Sequence, residues 1–320
     1  MSVVVSVSAP TAGAFFLPLL RLRLELAFEG SGRLPVHPGP ALRGLLGYGL
    51  RRLLCVTGAR DCRGCALQPR CDYVAFFETP GDAPRRAAAP RPWALEPPAR
   101  PPRRVARGDR LRFGLVLFGS GPGHLPQVAQ AFDRMGPAGF GPDRVPFRLA
   151  GLWQETLAGG RDWQSLDRRA LSSRALTAVE VPPLPQGELL LRLHTPLRLK
   201  RKGRLVGPAE FDARHLFFAL HKRWESVLQA HGEAAVAECL PPLPAEPETA
   251  LRRCDVAWEE WQRHSSRQRA RLKLGGLVGE LGLDPGPLAS WWPLLWAGQW
   301  VGLGRQTGMG LGRYRLYASL

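Results

Sequence analysis

The same succession of hydrophobic periodicities occurs twice in this chain, and it restricts the fold more than any other feature. From Arg21 to Phe28, Leu22, Leu24, Leu26 and Phe28 lie on one side and Arg21, Arg23 and Glu25 on the other, the alternation of a half-buried strand. Helical spacing follows over Gly39–Leu54, where Leu42, Leu45, Leu46, Leu50, Leu53 and Leu54 recur and Arg43, Arg51 and Arg52 turn elsewhere. Leu111–Phe118 reads as an apolar strand, Leu125–Met135 as a short helix and Val145–Leu152 as another strand. After a weakly periodic stretch the order returns. Leu189–Lys200 alternates Leu with Arg192, His194, Arg198 and Lys200, and Phe211–Ala230 is an amphipathic helix with Leu216, Phe217, Leu220, Trp224, Val227 and Leu228 on its apolar side. Arg269–Leu274 alternates basic and apolar residues, Pro287–Trp296 is helical, and Arg313–Ala318 ends the pattern as a strand. The expectation is an α+β protein with two tandem ferredoxin-like (β-α-β-β-α-β, RRM-like) domains. They would occupy 1–157 and 187–320, with 158–186 as linker and a cysteine-rich insertion, 55–79, in the first. Pro80–Arg107, rich in Pro, Arg and Ala, reads as a surface connector.

Composition permits such a fold and excludes others. The chain has 36 glycines and 31 prolines in 320 residues, but 45% are hydrophobic and ten are Trp, enough for packed cores. The longest charge-free stretch near the C-terminus, Trp291–Gly304, is shorter than the roughly 20 apolar residues of a membrane span, and residues 1–20 lack the basic start of a secretory signal. A cytoplasmic protein is expected. Its net charge is +17, from 44 Lys and Arg against 27 Asp and Glu. Only four of the basic residues are Lys, which is weak evidence because coding bias favours Arg, but bias between Arg and Lys does not create a surplus over acids. The surplus points to a polyanion such as nucleic acid.

Gly302–Gly312 reads GLGRQTGMGLG between a helix and the last strand. Its glycines permit positive φ and close backbone approach, and would leave amides free for phosphate oxygens. No Lys is present for a Walker loop, and the G-x-G-x-x-G fingerprint fails at Thr307. The alternative is a tight turn and nothing more. The segment, with Arg313-Tyr314 after it, resembles the C-terminal glycine-rich loop of the repeat-associated CRISPR proteins (the RAMP superfamily). Further landmarks resemble that superfamily's precursor-RNA processing endoribonucleases: Leu42-Arg43-Gly44, Cys62-x-x-Cys65 with Cys71-Asp72-Tyr73 and Phe76-Phe77-Glu78, Thr195 to Lys200, and Ser266-Arg267-Gln268 leading to Gly275-Gly276-Leu277.

The resemblance implies a cytoplasmic endoribonuclease that needs no metal or other cofactor for catalysis. It would bind CRISPR repeat RNA and cleave precursor transcripts into guide RNAs, leaving 2′,3′-cyclic phosphate and 5′-OH ends. It would stay with its guide RNA and join other subunits of an interference complex, with no membrane partner. A catalytically silent subunit holding guide RNA is the alternative, and a zinc-stapled RNA-binding protein outside CRISPR a third.

The chemistry needs a base, an acid and cations, and imidazole suits the first two roles. His37, just before the first helix, is the leading candidate, because relatives place a catalytic His there; Tyr48 and Arg43 on that helix would assist. RNA contacts are expected from Arg192, His194, Arg198, Lys200 and Lys202, from Arg269, Arg271 and Lys273, and from Gly302, Gly304, Arg305, Gly310, Gly312 and Arg313 around the loop. Cys55, Cys62, Cys65 and Cys71 are spaced as a metal cluster. Structural zinc suits four thiolates, an iron–sulfur cluster uses the same ligands, and unligated thiols are the third reading. Cys239 and Cys254 are expected as buried small hydrophobes.

Overall fold

The computed structural model describes residues 17–59, 61–79, 89–168, 170–171, 176–177, 179–232, 240–265 and 270–318. It is an α+β protein built on two antiparallel sheets. In the first half the elements are β1 (Leu19–Phe28), α1 (Pro38–Leu54), β2 (Trp93–Glu96), β3 (Arg110–Phe118), α2 (Leu125–Arg134), β4 (Phe147–Glu155) and β5 (Trp163–Ser165). The sheet order is β2-β3-β1-β4-β5. Two of these strands depart from expectation. β2 lies within the stretch read as a connector, where Pro and Arg on either side mask four buried residues. β5, from the stretch read as linker, adds a short edge strand beside β4.

The second half comprises β6 (Leu189–Leu197), α3 (Ala213–His231), β7 (Leu251–Glu259), β8 (Gln262–Ser265), β9 (Ala270–Lys273), β10 (Gly276–Leu283), α4 (Trp292–Val301) and β11 (Tyr314–Ala318). Its main sheet runs β7-β10-β6-β11, while β8 and β9 form a separate two-stranded hairpin. The strand expected at Arg269–Leu274 is therefore part of a projecting ribbon. Arg269 lies outside the described residues, as do Ser266-Arg267-Gln268 and Cys239. Cys254 is exposed on β7, not buried. Among the described residues no helix is long and apolar enough to cross a membrane.

Each half has its own core, and the first sheet serves both. Leu20, Leu22, Leu24 and Leu26 of β1 pack with Leu42, Leu46 and Leu50 of α1 and Val128 and Phe132 of α2. Each such buried side chain contributes about 1.5–3 kcal/mol. At one end of the sheet the opposite face joins the second half's core through Leu19, Ala94, Val116 and Phe118. The polar face of β1 is thus not a simple solvent face. Arg21 donates to Glu96 at 3.0 Å and to Glu155 at 2.7 Å, and Arg313 and Arg315 of the second half donate to the same Glu96 at 2.8 and 3.2 Å. Burial alone would raise the Glu96 pKa, but Arg21, Arg313 and Arg315 outweigh it and hold the group far below the usual carboxylate range. Arg313, expected as a phosphate contact, is instead part of the seam between the halves.

The cysteine segment is also anchored differently from expectation. Tyr73, Val74, Phe76 and Phe77 bury themselves in the first core, with Phe77 stacked 5.7 Å from Trp93. Cys55 and Cys65 each lie 3.8 Å from Thr57 Oγ1, and Cys62, which packs with Cys71 against the apolar core, is within electrostatic reach of both Cys55 and Cys71. Among the described residues no three His, Cys, Asp or Glu side chains are gathered to hold a metal. Aromatic burial by itself anchors the segment to the first core.

Candidate functional site

His37 sits at the N-cap of α1 in extended conformation, φ −117°, and its side chain makes no capping bond. Pro38 and Pro40 remove two of the first-turn amides, and the imidazole is engaged in another contact. It stacks on Trp261, between β7 and β8, with ring centroids 4.3 Å apart and planes 16° apart. The Trp261 indole donates to Glu259 at 2.8 Å, which fixes the ring. Trp261 also packs with Leu274, Leu311 and Met309, so the hairpin base and the glycine loop reach the same place. Gly39 closes the junction, because a Cβ there would collide with the Met309 carbonyl.

Half-burial lowers the His37 pKa; the Glu259 carboxylate pulls it back up and Arg103 pushes it further down, with a net value below that of ordinary imidazole. At neutral pH the ring is uncharged and able to accept a proton. The two expected helpers are elsewhere. Tyr48 is exposed, eleven residues and roughly 16 Å of helix rise from His37. Arg43 places its guanidinium 4.7 Å from the Phe77 ring, facing the cysteine segment.

The expected basic stripe of the second half divides into two. Arg192 pairs with Glu280 at 2.5 Å and His194 lies 3.3 Å from Tyr317 Oη, both on the exposed face of the second sheet. β6 ends at Leu197 and the chain turns, with Lys202 at φ 48°, so the residues after it point elsewhere. Arg198, Lys200, Lys202, Gly304 and Arg305 line a cleft of about 1000 Å³ bounded by α3 and the glycine loop. Lys273 is exposed at the end of β9, and the side chain of Arg271 lies outside the described part.

Gly302, Gly304, Gly310 and Gly312 all take positive φ, as the loop reading requires. Their surroundings correct its second half. The amides of Gly302, Gly310 and Gly312 donate to Gly298, Thr307 and Pro196 carbonyls at 2.8, 2.9 and 3.0 Å, so they are spent inside the protein. A Cβ at Gly312 would meet the Leu303 carbonyl, and one at Gly304 the Arg198 carbonyl. The loop is a folded wedge between α1 and β6. Trp261 and Glu259 escaped the sequence reading, since nothing local ties them to a histidine more than 220 residues earlier.

Comparison with known proteins places the fold. A family model for an N-terminal domain, AF_1859_N, matches residues 17–176, and the model for the CRISPR-associated endoribonuclease Cas6 matches residues 191–314. No curated protein matches the chain by sequence. Among solved structures, a partial Cas6-RT-Cas1–Cas2 complex aligns over 97% of this chain with TM-score 0.58 and 14% identity. A further Cas6-RT-Cas1–Cas2 complex gives the same TM-score and identity. This chain spans 48% and 30% of those two larger chains. A Cas6 (TTHB231) product complex aligns over 94% of this chain and 99% of its own, with TM-score 0.52 and 18% identity. At these identities the likeness is one of fold. The two family matches follow one another without overlap, AF_1859_N over half the sequence and the Cas6 model over residues 191–314, and the chain is of the CRISPR-associated Cas6 type.

Proposed function

We propose that this protein acts in the cytoplasm to bind CRISPR repeat RNA and cut precursor transcripts into guide RNAs by a metal-independent transfer. The observation that carries the reading is the half-buried, uncharged His37, held against Trp261 where α1, the hairpin and the glycine loop meet. The imidazole takes the proton of a ribose 2′-OH, and the 2′-oxygen forms a bond to the adjacent phosphorus. The P–O5′ bond breaks, leaving a 2′,3′-cyclic phosphate on one product and a 5′-OH on the other once the leaving oxygen is protonated. The nucleophile belongs to the substrate, so no metal-bound water is needed to supply one. Arg103, whose charge acts on His37, is a cation available to the negative charge that develops on the phosphate oxygens. Each half, with strand order β2-β3-β1-β4 or β7-β10-β6-β11 and two helices, supports the ferredoxin-like description. Retention of guide RNA and assembly with other CRISPR subunits are the partners this reading implies.

The test is incubation of the purified protein with end-labelled cognate repeat RNA in EDTA. Cleavage ending in a cyclic phosphate is expected, with an acid limb in the pH–rate profile below the ordinary imidazole value of about 6.5. His37→Ala should slow the cut by about 10²–10⁴-fold. A variant that cuts at the parental rate removes His37 from the mechanism. Tight binding with no cleavage by the wild-type protein would make it a silent RNA-holding subunit.

A further inference from the structure

Among the described residues the cleft beside the glycine loop is lined by nine Arg and Lys residues and by no Asp or Glu, although Arg214 pairs with Glu248 and Lys222 with Glu225, at 2.6 Å, just outside the lining. The seven lining cations without such a partner give the cleft a positive potential that concentrates anions. One member is unusual. Arg223 of α3 donates from Nη2 to the Val301 carbonyl at 2.8 Å and to Thr307 Oγ1 at 3.1 Å, while its Nε is shut off from solvent without a partner. Desolvation holds its pKa down to about 10, and no carboxylate among the described residues pairs with it. A buried cation without a counter-charge is costly, and a ligand phosphate would relieve that cost.

The outer face of α3 adds a second, independent observation. Arg214, Phe218 and Lys222 succeed one another at four-residue intervals along the cleft, roughly 6 Å apart. Phe218 is 51% exposed although it lies between two cations. An exposed ring interleaved with basic side chains is what a single-stranded nucleic acid uses, its bases stacking on the ring and its phosphates following the charge. The cleft also carries apolar surface at Leu243, Pro244 and Pro247. Its volume suits a few nucleotides and not a duplex stem.

We propose that this cleft is a single-strand RNA track, with Phe218 as the base-stacking platform and Arg223, Arg305 and Lys222 holding phosphates. The site stands on its own geometry, while the identity of its RNA as a flank of the cleaved transcript rests on the function proposed above. The glycine loop is the wall between the two sites: Met309 and Leu311 pack at the His37 junction, and Thr307 and Gly308 line the cleft. A strand leaving His37 past the loop would enter this track.

The test uses the full chain and a fluorescein-labelled oligouridylate octamer, read by anisotropy over a range of salt. Phe218→Ala should weaken octamer binding about tenfold, the size of one lost stack, and Phe218→Trp should restore it. Lys222→Ala should weaken it and reduce the salt slope by about one. Both positions are exposed, and thermal melts superimposable on wild type confirm that the fold is kept. Octamer affinity unchanged in Phe218→Ala overturns the proposal. So does displacement of the octamer by inorganic phosphate or polyglutamate at equal charge concentration, which would make the cleft a simple anion sink. A wild-type protein that holds the octamer through Phe218 but neither binds nor cuts repeat RNA supports the track and sinks the wider function. A protein that cuts repeat RNA while Phe218→Ala holds the octamer as wild type does the reverse.

Discussion

Arg313 and Arg223 lie in the same half of the molecule and are both held down to about 10 by desolvation, yet they meet that cost in opposite ways. Arg313 reaches across the seam to Glu96, where Arg21 and Arg315 converge as well, so three cations share one buried carboxylate. Arg223 has a carbonyl, a hydroxyl and the Phe118 ring, in a cleft whose described lining residues include no acid. One cluster is closed and holds the protein together; the other is open and waits for an anion. A net charge of +17 therefore counts two different populations, and only the second advertises a partner.

The largest effect that distinguishes them is expected at Glu96. Glu96→Ala leaves Arg313 and Arg315 without a carboxylate in the seam, while Arg21 keeps Glu155, and should cost about 3–5 kcal/mol in a denaturant melt, as removal of one partner of a buried ionic group does. Acid should act on the same group. Because the folded pKa of Glu96 is depressed, its contribution is complete above the unfolded carboxylate value of about 4.3 and is lost as pH falls from there toward the folded value. Melts of wild type should weaken across that window, and Glu96→Gln should show a flatter acid limb. Arg313→Met, which leaves Glu96 with two partners, should cost about 1.5–3 kcal/mol. Arg223→Met should change stability by less than about 1 kcal/mol, since relief of desolvation offsets two lost hydrogen bonds. If Arg223→Met proved as damaging as Glu96→Ala, the distinction between closed and open clusters would fail.

These contrasts also explain what could be read before the fold was known. β1 was legible because Leu20, Leu22, Leu24 and Leu26 serve one core and its polar residues face the other way. β7 was not, since its side chains are largely exposed along an edge and no apolar row marks it. β10 was hidden by its glycines, and β2 by the prolines around it. His37 was singled out by the resemblance, whereas the ring that stacks on it comes from the other half. Arg313 was misread because a basic residue beside a glycine loop looks alike whether it faces phosphate or a carboxylate 217 residues earlier. Phe218 carried a readable signal, an aromatic residue off the apolar side of its helix between two cations, and it was passed over.

The span of that last ion pair has a consequence in time. Translation adds roughly 5–20 residues per second, so about 10–40 s separate the synthesis of Glu96 from that of Arg313. Through that interval the nascent first half has Arg21 alone to answer its buried carboxylate, and its sheet lacks the apolar neighbours that cover Leu19, Val116 and Phe118. The first half becomes fully compensated only when the last strand has left the ribosome, which makes the C-terminal strand the closing stitch of a structure begun at the other end of the chain.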